Sequence, residues 1–185
     1  MGIPKEPQPV KLFVALLSGQ ADLFLEAEKG LAALFGPVDC ASASLPWSLT
    51  DYYEKEMGSG LLRRFVSFVP LVPPGEIAQI KLRTQDLEAR YEWNQGERTG
   101  RRVNIDPGYL DRGKVVLAST KGAAHRIYLG SGIYAEATLL YRKGSFEPFL
   151  YTYPDYLWPE TLAFFTDLRS RYLQQLKEKT LDNRR

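Results

Sequence analysis

Two hydrophobic patterns alternate along the first half of this chain. Residues 12–17 form an unbroken apolar run, the mark of a strand covered on both faces. Leu23, Phe24, Ala27, Leu31 and Leu34 then recur at helical spacing, and Gly36-Pro37 stops that helix. A strand is expected over 38–45, and a polar segment, irregular or briefly helical, over 50–60. Residues 64–71 alternate loosely as another strand, closed by Pro73-Pro74. Ile77, Ile80, Leu87 and Tyr91 fit a second helix over 76–91, with Thr84 on the same stripe.

The second half changes period. Val103 and Ile105 alternate with Arg102 and Asn104, and Asp106-Pro107-Gly108 is expected to end the strand in a type II turn. Runs at 114–119, 125–129 and 133–141, separated by Gly-bearing connections, read as an antiparallel meander. Pro159 opens a last helix with Leu162, Phe165, Leu168, Tyr172 and Leu176 on one stripe. Residues 1–9, with three prolines, read as an irregular arm, and the charged tail from Lys177 is expected to fray. The predicted fold is a single α+β domain: β-α-β-β-α, then a meander, a largely antiparallel sheet with helices mainly on one face, and a C-terminal helix.

Composition narrows the function classes. The 24 Lys and Arg against 22 Asp and Glu give a net charge of +2, so no nucleic-acid or membrane partner is indicated. Cys40 is the only cysteine, which excludes an intramolecular disulfide and fits a reducing compartment; on its predicted strand it reads as core. His125 is the only histidine, and with Cys40 it offers too few soft ligands for a zinc site. No stretch approaches the ~20 apolar residues that span a bilayer. Residues 10–17 carry Lys11 and lack a cleavage signal, so they read as a core strand and the expected location is cytoplasmic. Arg63, Arg64, Lys81 and Arg83 are possible phosphate partners, yet no Walker loop or G-x-G-x-x-G follows a strand. Gly58-Ser59-Gly60 and Gly130-Ser131-Gly132 are too short to cradle a phosphate.

One hairpin permits a register calculation. A loop of Gly130-Ser131-Gly132 makes Leu129 and Ile133 partners, and then Tyr128 faces Tyr134, Ile127 faces Ala135 and Arg126 faces Glu136. Arg126, Tyr128, Tyr134 and Glu136 share one face, and Ile127, Leu129, Ile133 and Ala135 share the other, taken as core. A loop over 120–124 would set Ala118 beside Arg126. Arg126–Glu136 would be worth about 0.2–1 kcal/mol as a plain cross-strand pair. As a ligand-facing cluster, Arg126 would clamp a carboxylate or phosphate and Glu136 would hold it in place.

Other titratable groups compete for roles. Glu54 and Glu56 share a side if extended and diverge by ~200° if helical; with Asp106 and Glu136 they would offer oxygen ligands to a divalent cation, or form a solvated charge run. Asp106 reads equally as the cap of the Pro107-Gly108 turn, as does Asp155 for its own turn. His125 could serve as a general base, although the register places it on the apolar side as a structural histidine.

The segments Tyr52-Tyr-Glu-Lys-Glu-Met-Gly58, Ile80-Lys-Leu-Arg-Thr84, Asn104-Ile-Asp-Pro-Gly-Tyr-Leu110, Leu117-Ala-Ser-Thr-Lys121, His125-Arg-Ile-Tyr-Leu129, Gly132-Ile-Tyr-Ala-Glu136 and Tyr151-Thr-Tyr-Pro-Asp-Tyr156 together resemble a bacterial family catalogued as domain of unknown function 4416. The resemblance spans nearly the whole chain and implies a bacterial cytoplasmic protein. It transfers no catalytic residue, and it runs through the same polar positions: Arg126, Glu136, Asp106, Lys121 and His125.

The expected function is binding of a small phosphorylated or carboxylated metabolite, with enzymatic activity open. Arg126, Lys121, Tyr128 and Tyr134 would bind, and Glu136, His125 and Asp106 would handle protons. A rival reading is an interaction module that uses the aromatic stretch of Tyr151, Tyr153, Tyr156 and Trp158.

Overall fold

A computed structural model describes residues 2–50, 53–95 and 98–182. Its central strand is β1 (Val10–Ser18), buried at every position, as the unbroken apolar run requires. β1 lies between β4 (Leu62–Val72) and β7 (Val103–Leu110), antiparallel to both. Beyond β4 come β2 (Val38–Ala41) and β3 (Leu45–Pro46); beyond β7 come β8 (Lys114–Ser119), β10 (Ile133–Arg142) and β11 (Ser145–Pro148). β9 (Ile127–Gly130) also pairs with β10, and β5 (Glu92–Gln95) and β6 (Arg98–Arg101) form a separate antiparallel pair.

Both faces of the sheet are covered, with successive residues of β1 feeding opposite layers. Leu12, Val14 and Leu16 join a core with α1 (Ala21–Phe35) and α3 (Ile77–Ala89). Phe13 and Ala15 join a second core with Phe164, Phe165, Leu168 and Tyr172 of α4 (Pro159–Asp182). The Phe13 and Phe165 rings meet edge to face, 5.0 Å apart. α1 ends where Gly36, at φ 97°, donates its N–H to Ala32. The polar segment after Trp47 contains the single turn α2 (Glu54–Met57). The molecule is thus an α+β domain built on an antiparallel sheet, with a C-terminal helix.

Four local expectations are corrected. Pro107-Gly108 does not turn the chain: β7 runs through both to Leu110, because β1 pairs along its whole length. β8 and β9 do not form a hairpin, since β10 lies between them, and Ala118 pairs with Ala135 rather than Arg126. Ile127 and Leu129 are exposed, at 72% and 42%, because β9 is an outlying strand that neither core reaches. The tail does not fray at Lys177; α4 continues to Asp182, with Leu176 packed in the core. Residues 183–185 and Tyr52 lie outside the described residues.

The hairpin register has a compensated error. Gly130 pairs with Ile133 around a two-residue turn in which Ser131 (φ 52°) and Gly132 (φ 76°) are left-handed. A bulge then restores the expected Tyr128–Tyr134 and Ile127–Ala135 partners.

At Gly108 the sheet leaves no room for a side chain. A Cβ there would lie 2.4 Å from the Val116 carbonyl oxygen and 2.5 Å from Phe13 Cζ. Gly108→Ala is therefore expected to lower stability by about 1–3 kcal/mol, read as a lower urea midpoint. An unchanged midpoint would show that β7 and β8 are not held this tightly.

Candidate functional site

The β7–β8 ladder is short. It pairs Leu110 with Val115, Tyr109 with Val116 and Gly108 with Leu117, and then stops. β7 extends further back to Val103 and β8 further on to Ser119, so the two strands part like a fork. Ile105 and Pro107 present their backbone to the open side. Pro107 has no N–H to leave unsatisfied. Ile105 has both groups, and α3 supplies their partners: its N–H donates to Glu88 Oε2 at 2.7 Å, and its carbonyl accepts from Lys81 Nζ at 3.0 Å. Lys81 and Glu88 therefore stand in for the missing stretch of β8.

A cavity of about 590 Å³ occupies this end of the sheet. Its floor comes from Arg63 on β4, Asn104 and Asp106 on β7, Leu117 to Ser119 on β8 and Glu136 on β10. α3 contributes Lys81, Gln85 and Glu88 through the fork. Two loops close the sides, one with Trp47, Leu49, Thr50 and Tyr53, the other with Tyr153 to Tyr156. Five cations (Arg63, Lys81, Arg101, Lys121, Arg126) face four carboxylates (Glu88, Asp106, Glu136, Asp155), so the wall is close to neutral and strongly polar.

The charges are wired in pairs. Asp155, 2% exposed, accepts from Arg63 Nε at 2.8 Å and from Trp47 Nε1 at 3.2 Å. Asp106 accepts from Lys81 at 2.8 Å and from Asn104. Burial alone would raise the Asp106 carboxyl, but the Lys81 charge and the hydrogen bonds from Lys81 and Asn104 outweigh it and hold it below its ordinary value. Burial pushes the Glu88 carboxyl up, against the opposing pull of Lys81. Arg101 engages both oxygens of Glu56, and its hydrogen bonds hold that carboxyl down.

Glu136 is buried, with its side chain 1% exposed. Its Oε2 takes Arg126 Nε at 2.6 Å and His125 Nε2 at 2.8 Å. Its Oε1 is buried and has no hydrogen-bond partner among the described residues. Arg126 is almost fully committed: Nη1 donates to Ser119 Oγ and the Lys121 carbonyl, and Nη2 to the Tyr153 hydroxyl. One N–H of its five remains, so Arg126 orients Glu136 rather than clamping an anion. Arg63 is the converse case. It is 8% exposed, lines the cavity and donates only through Nε; no described residue accepts from its terminal nitrogens.

The expected site residues are thus partly assembled. Asp106, Lys121, Arg126 and Glu136 line the cavity, and His125, Tyr128 and Tyr134 do not. His125 is not on the apolar face: it precedes β9, where Arg126 N–H turns back to the Ala123 carbonyl, and its ring stacks on Tyr151 at 4.0 Å. Asp106 does not cap a turn but lies within β7, paired with Lys81. Glu54 and Glu56 fall on a helix; Glu54 is exposed and Glu56 is held by Arg101, so the four-carboxylate cation arrangement is not built. Among the described residues, no group of three or more His, Cys, Asp or Glu is placed to hold a metal. Tyr153 and Tyr156 of the aromatic stretch line the cavity, and Tyr156 is only 3% exposed.

Asn104, Glu88, Gln85, Arg101 and Trp47 had no sequence assignment. The spacing of Lys81, Gln85 and Glu88, i, i+4 and i+7, was a usable signal: it places a polar stripe beside the apolar stripe of α3.

Fold and cavity together define an α+β domain with a charge-paired pocket at the open end of an antiparallel sheet. The chain matches the family model described as a domain of unknown function (DUF4416) over residues 8–172, and it belongs to that family. No curated protein and no solved structure matches it. No helix among the described residues is long and apolar enough to cross a membrane.

The paired charges set a pH dependence. The folded Asp106 carboxyl titrates below its unfolded counterpart, so its contribution to stability is full above the ordinary carboxylate range, about pH 4, and is lost as pH falls through the lower folded value. Glu88, shifted upward, contributes with the opposite sign. Asp106→Asn is expected to flatten the fall in urea midpoint between about pH 6 and pH 3. Parallel profiles for the variant and the parent would contradict this.

Proposed function

We propose that this cavity binds a small anionic metabolite, phosphorylated or carboxylated. One observation carries the reading: the wall holds a nearly buried guanidinium, Arg63, whose two terminal nitrogens have no described protein acceptor. A planar fork of this kind matches a carboxylate or phosphate with two parallel hydrogen bonds. Lys81 adds charge with one N–H beyond the two given to Ile105 and Asp106, and Lys121 lines the same cavity. Arg126 and His125 position Glu136, which supplies the carboxylate that a proton-transfer step would use. Asp106 positions Lys81. The same reading places the protein in a bacterial cytoplasm, in keeping with its lone thiol, Cys40.

Thermal-shift screening against inorganic phosphate, sugar phosphates and di- and tricarboxylates tests this. A ligand at 100 times its Kd should add about 2.7 kcal/mol, a rise of about 5–10 °C for a chain of this size. Arg63→Lys keeps a cation beside Asp155 but removes the fork, and it should reduce the rise, as should Lys121→Ala. Silence across the panel, or rises untouched by both variants, would refute the reading.

A further inference from the structure

Two features of the cavity specify what its ligand carries besides an anionic group. The first is size. At about 590 Å³ the cavity has roughly twenty times the ~30 Å³ that one water occupies. A bare phosphate or carboxylate seated on Arg63 would leave most of it empty, so the ligand has a body of small-metabolite dimensions.

The second is Glu136. Glu136 lines the cavity; one of its carboxylate oxygens is held by Arg126 and His125, and the other is buried with no donor among the described residues. A buried acceptor without a partner is costly, and a ligand donor would remove that cost. Arg126 decides the charge of that donor. Its guanidinium already neutralises Glu136, just as Arg63 and Lys81 are matched to Asp155 and Asp106. A ligand ammonium would therefore find no uncompensated carboxylate in these pairs to offset its desolvation, whereas a neutral hydroxyl would gain a hydrogen bond to a charged oxygen at far smaller desolvation cost.

We infer that the ligand is a hydroxylated anion, of the sugar-phosphate or sugar-acid kind, which donates a hydroxyl hydrogen to Glu136 Oε1 while its anionic group is held by Arg63 and Lys81. This rests on the binding reading above and adds the identity of the ligand body.

Titration calorimetry with matched probes tests it. Glucose 6-phosphate, ribose 5-phosphate and gluconate are compared with the hydroxyl-free hexyl phosphate and hexanoate. In the parent protein at least one hydroxylated probe should bind tenfold or more tighter than its hydroxyl-free counterpart. Glu136→Gln then inverts the open atom. Arg126 Nε requires an acceptor, so the amide oxygen takes the Oε2 position and the NH2 group replaces Oε1. The preference should fall to about twofold or less; it is read as the ratio of the two probe classes within each protein, so that a change in anion affinity common to both, from the lost carboxylate charge, cancels. Equal binding of the two classes by the parent, or a preference that survives in Glu136→Gln, would overturn the inference while leaving anion binding intact. If the parent binds no probe, the binding reading fails and this inference with it. The parent comparison needs no variant, so a poorly folding Glu136→Gln protein does not blunt the test.

Discussion

The cavity end of this sheet depends on a hydrogen-bond ladder that stops early. A buried backbone N–H or carbonyl must find a partner, and Ile105 loses its β8 partners where the strands diverge after Gly108 and Leu117. Glu88 and Lys81 replace them. This fixes the rotation of α3 about its axis, because only one helix face carries both side chains. It also carries the Lys81 amine from the layer that holds α3 to the opposite face of the sheet, where Asp106 meets it. A closed ladder would leave no route for that amine and no cavity between the strands.

Ion pairing then sets the geometry of the wall. Desolvating a charge is expensive, and a buried pair is often no more stabilising than apolar residues of the same volume, whereas removing one partner costs about 3–5 kcal/mol. Asp155 and Glu136 are both nearly inaccessible, yet each has its cation. These pairs contribute definition more than stability. Arg126 gives four of its donors to Glu136, Ser119, the Lys121 carbonyl and Tyr153, and so ties β10, the loop after β8 and the 151–157 segment into one frame.

The large elements were legible in the sequence because their periodicity records burial directly. The run at 12–17 and the stripes of α1, α3 and α4 all match observed cores. The juxtaposition of Arg126 and Glu136 was legible as well, although a two-residue turn plus a bulge, not a three-residue loop, produces the register. The errors lie where tertiary pairing overrides local signals. Pro107-Gly108 has turn chemistry, but β1 pairs with both residues and keeps them extended. The meander expectation assumed that sequential strands are neighbours, whereas β9 crosses to the far edge of β10. Arg63 could be named only as one of several loose cations, because its partner Asp155 lies 92 residues away.

That separation bears on how the family can diverge. Arg63–Asp155, Lys81–Asp106 and Arg126–Glu136 each join segments that are far apart or on different elements, at sequence separations of 92, 25 and 10. At Arg63 and Arg126 a single change to a neutral side chain would strand a nearly inaccessible carboxylate. Drift at those two pairs must proceed by coupled replacement, so paired absence in a homologue would mark a lineage in which the pocket has been abandoned or rebuilt.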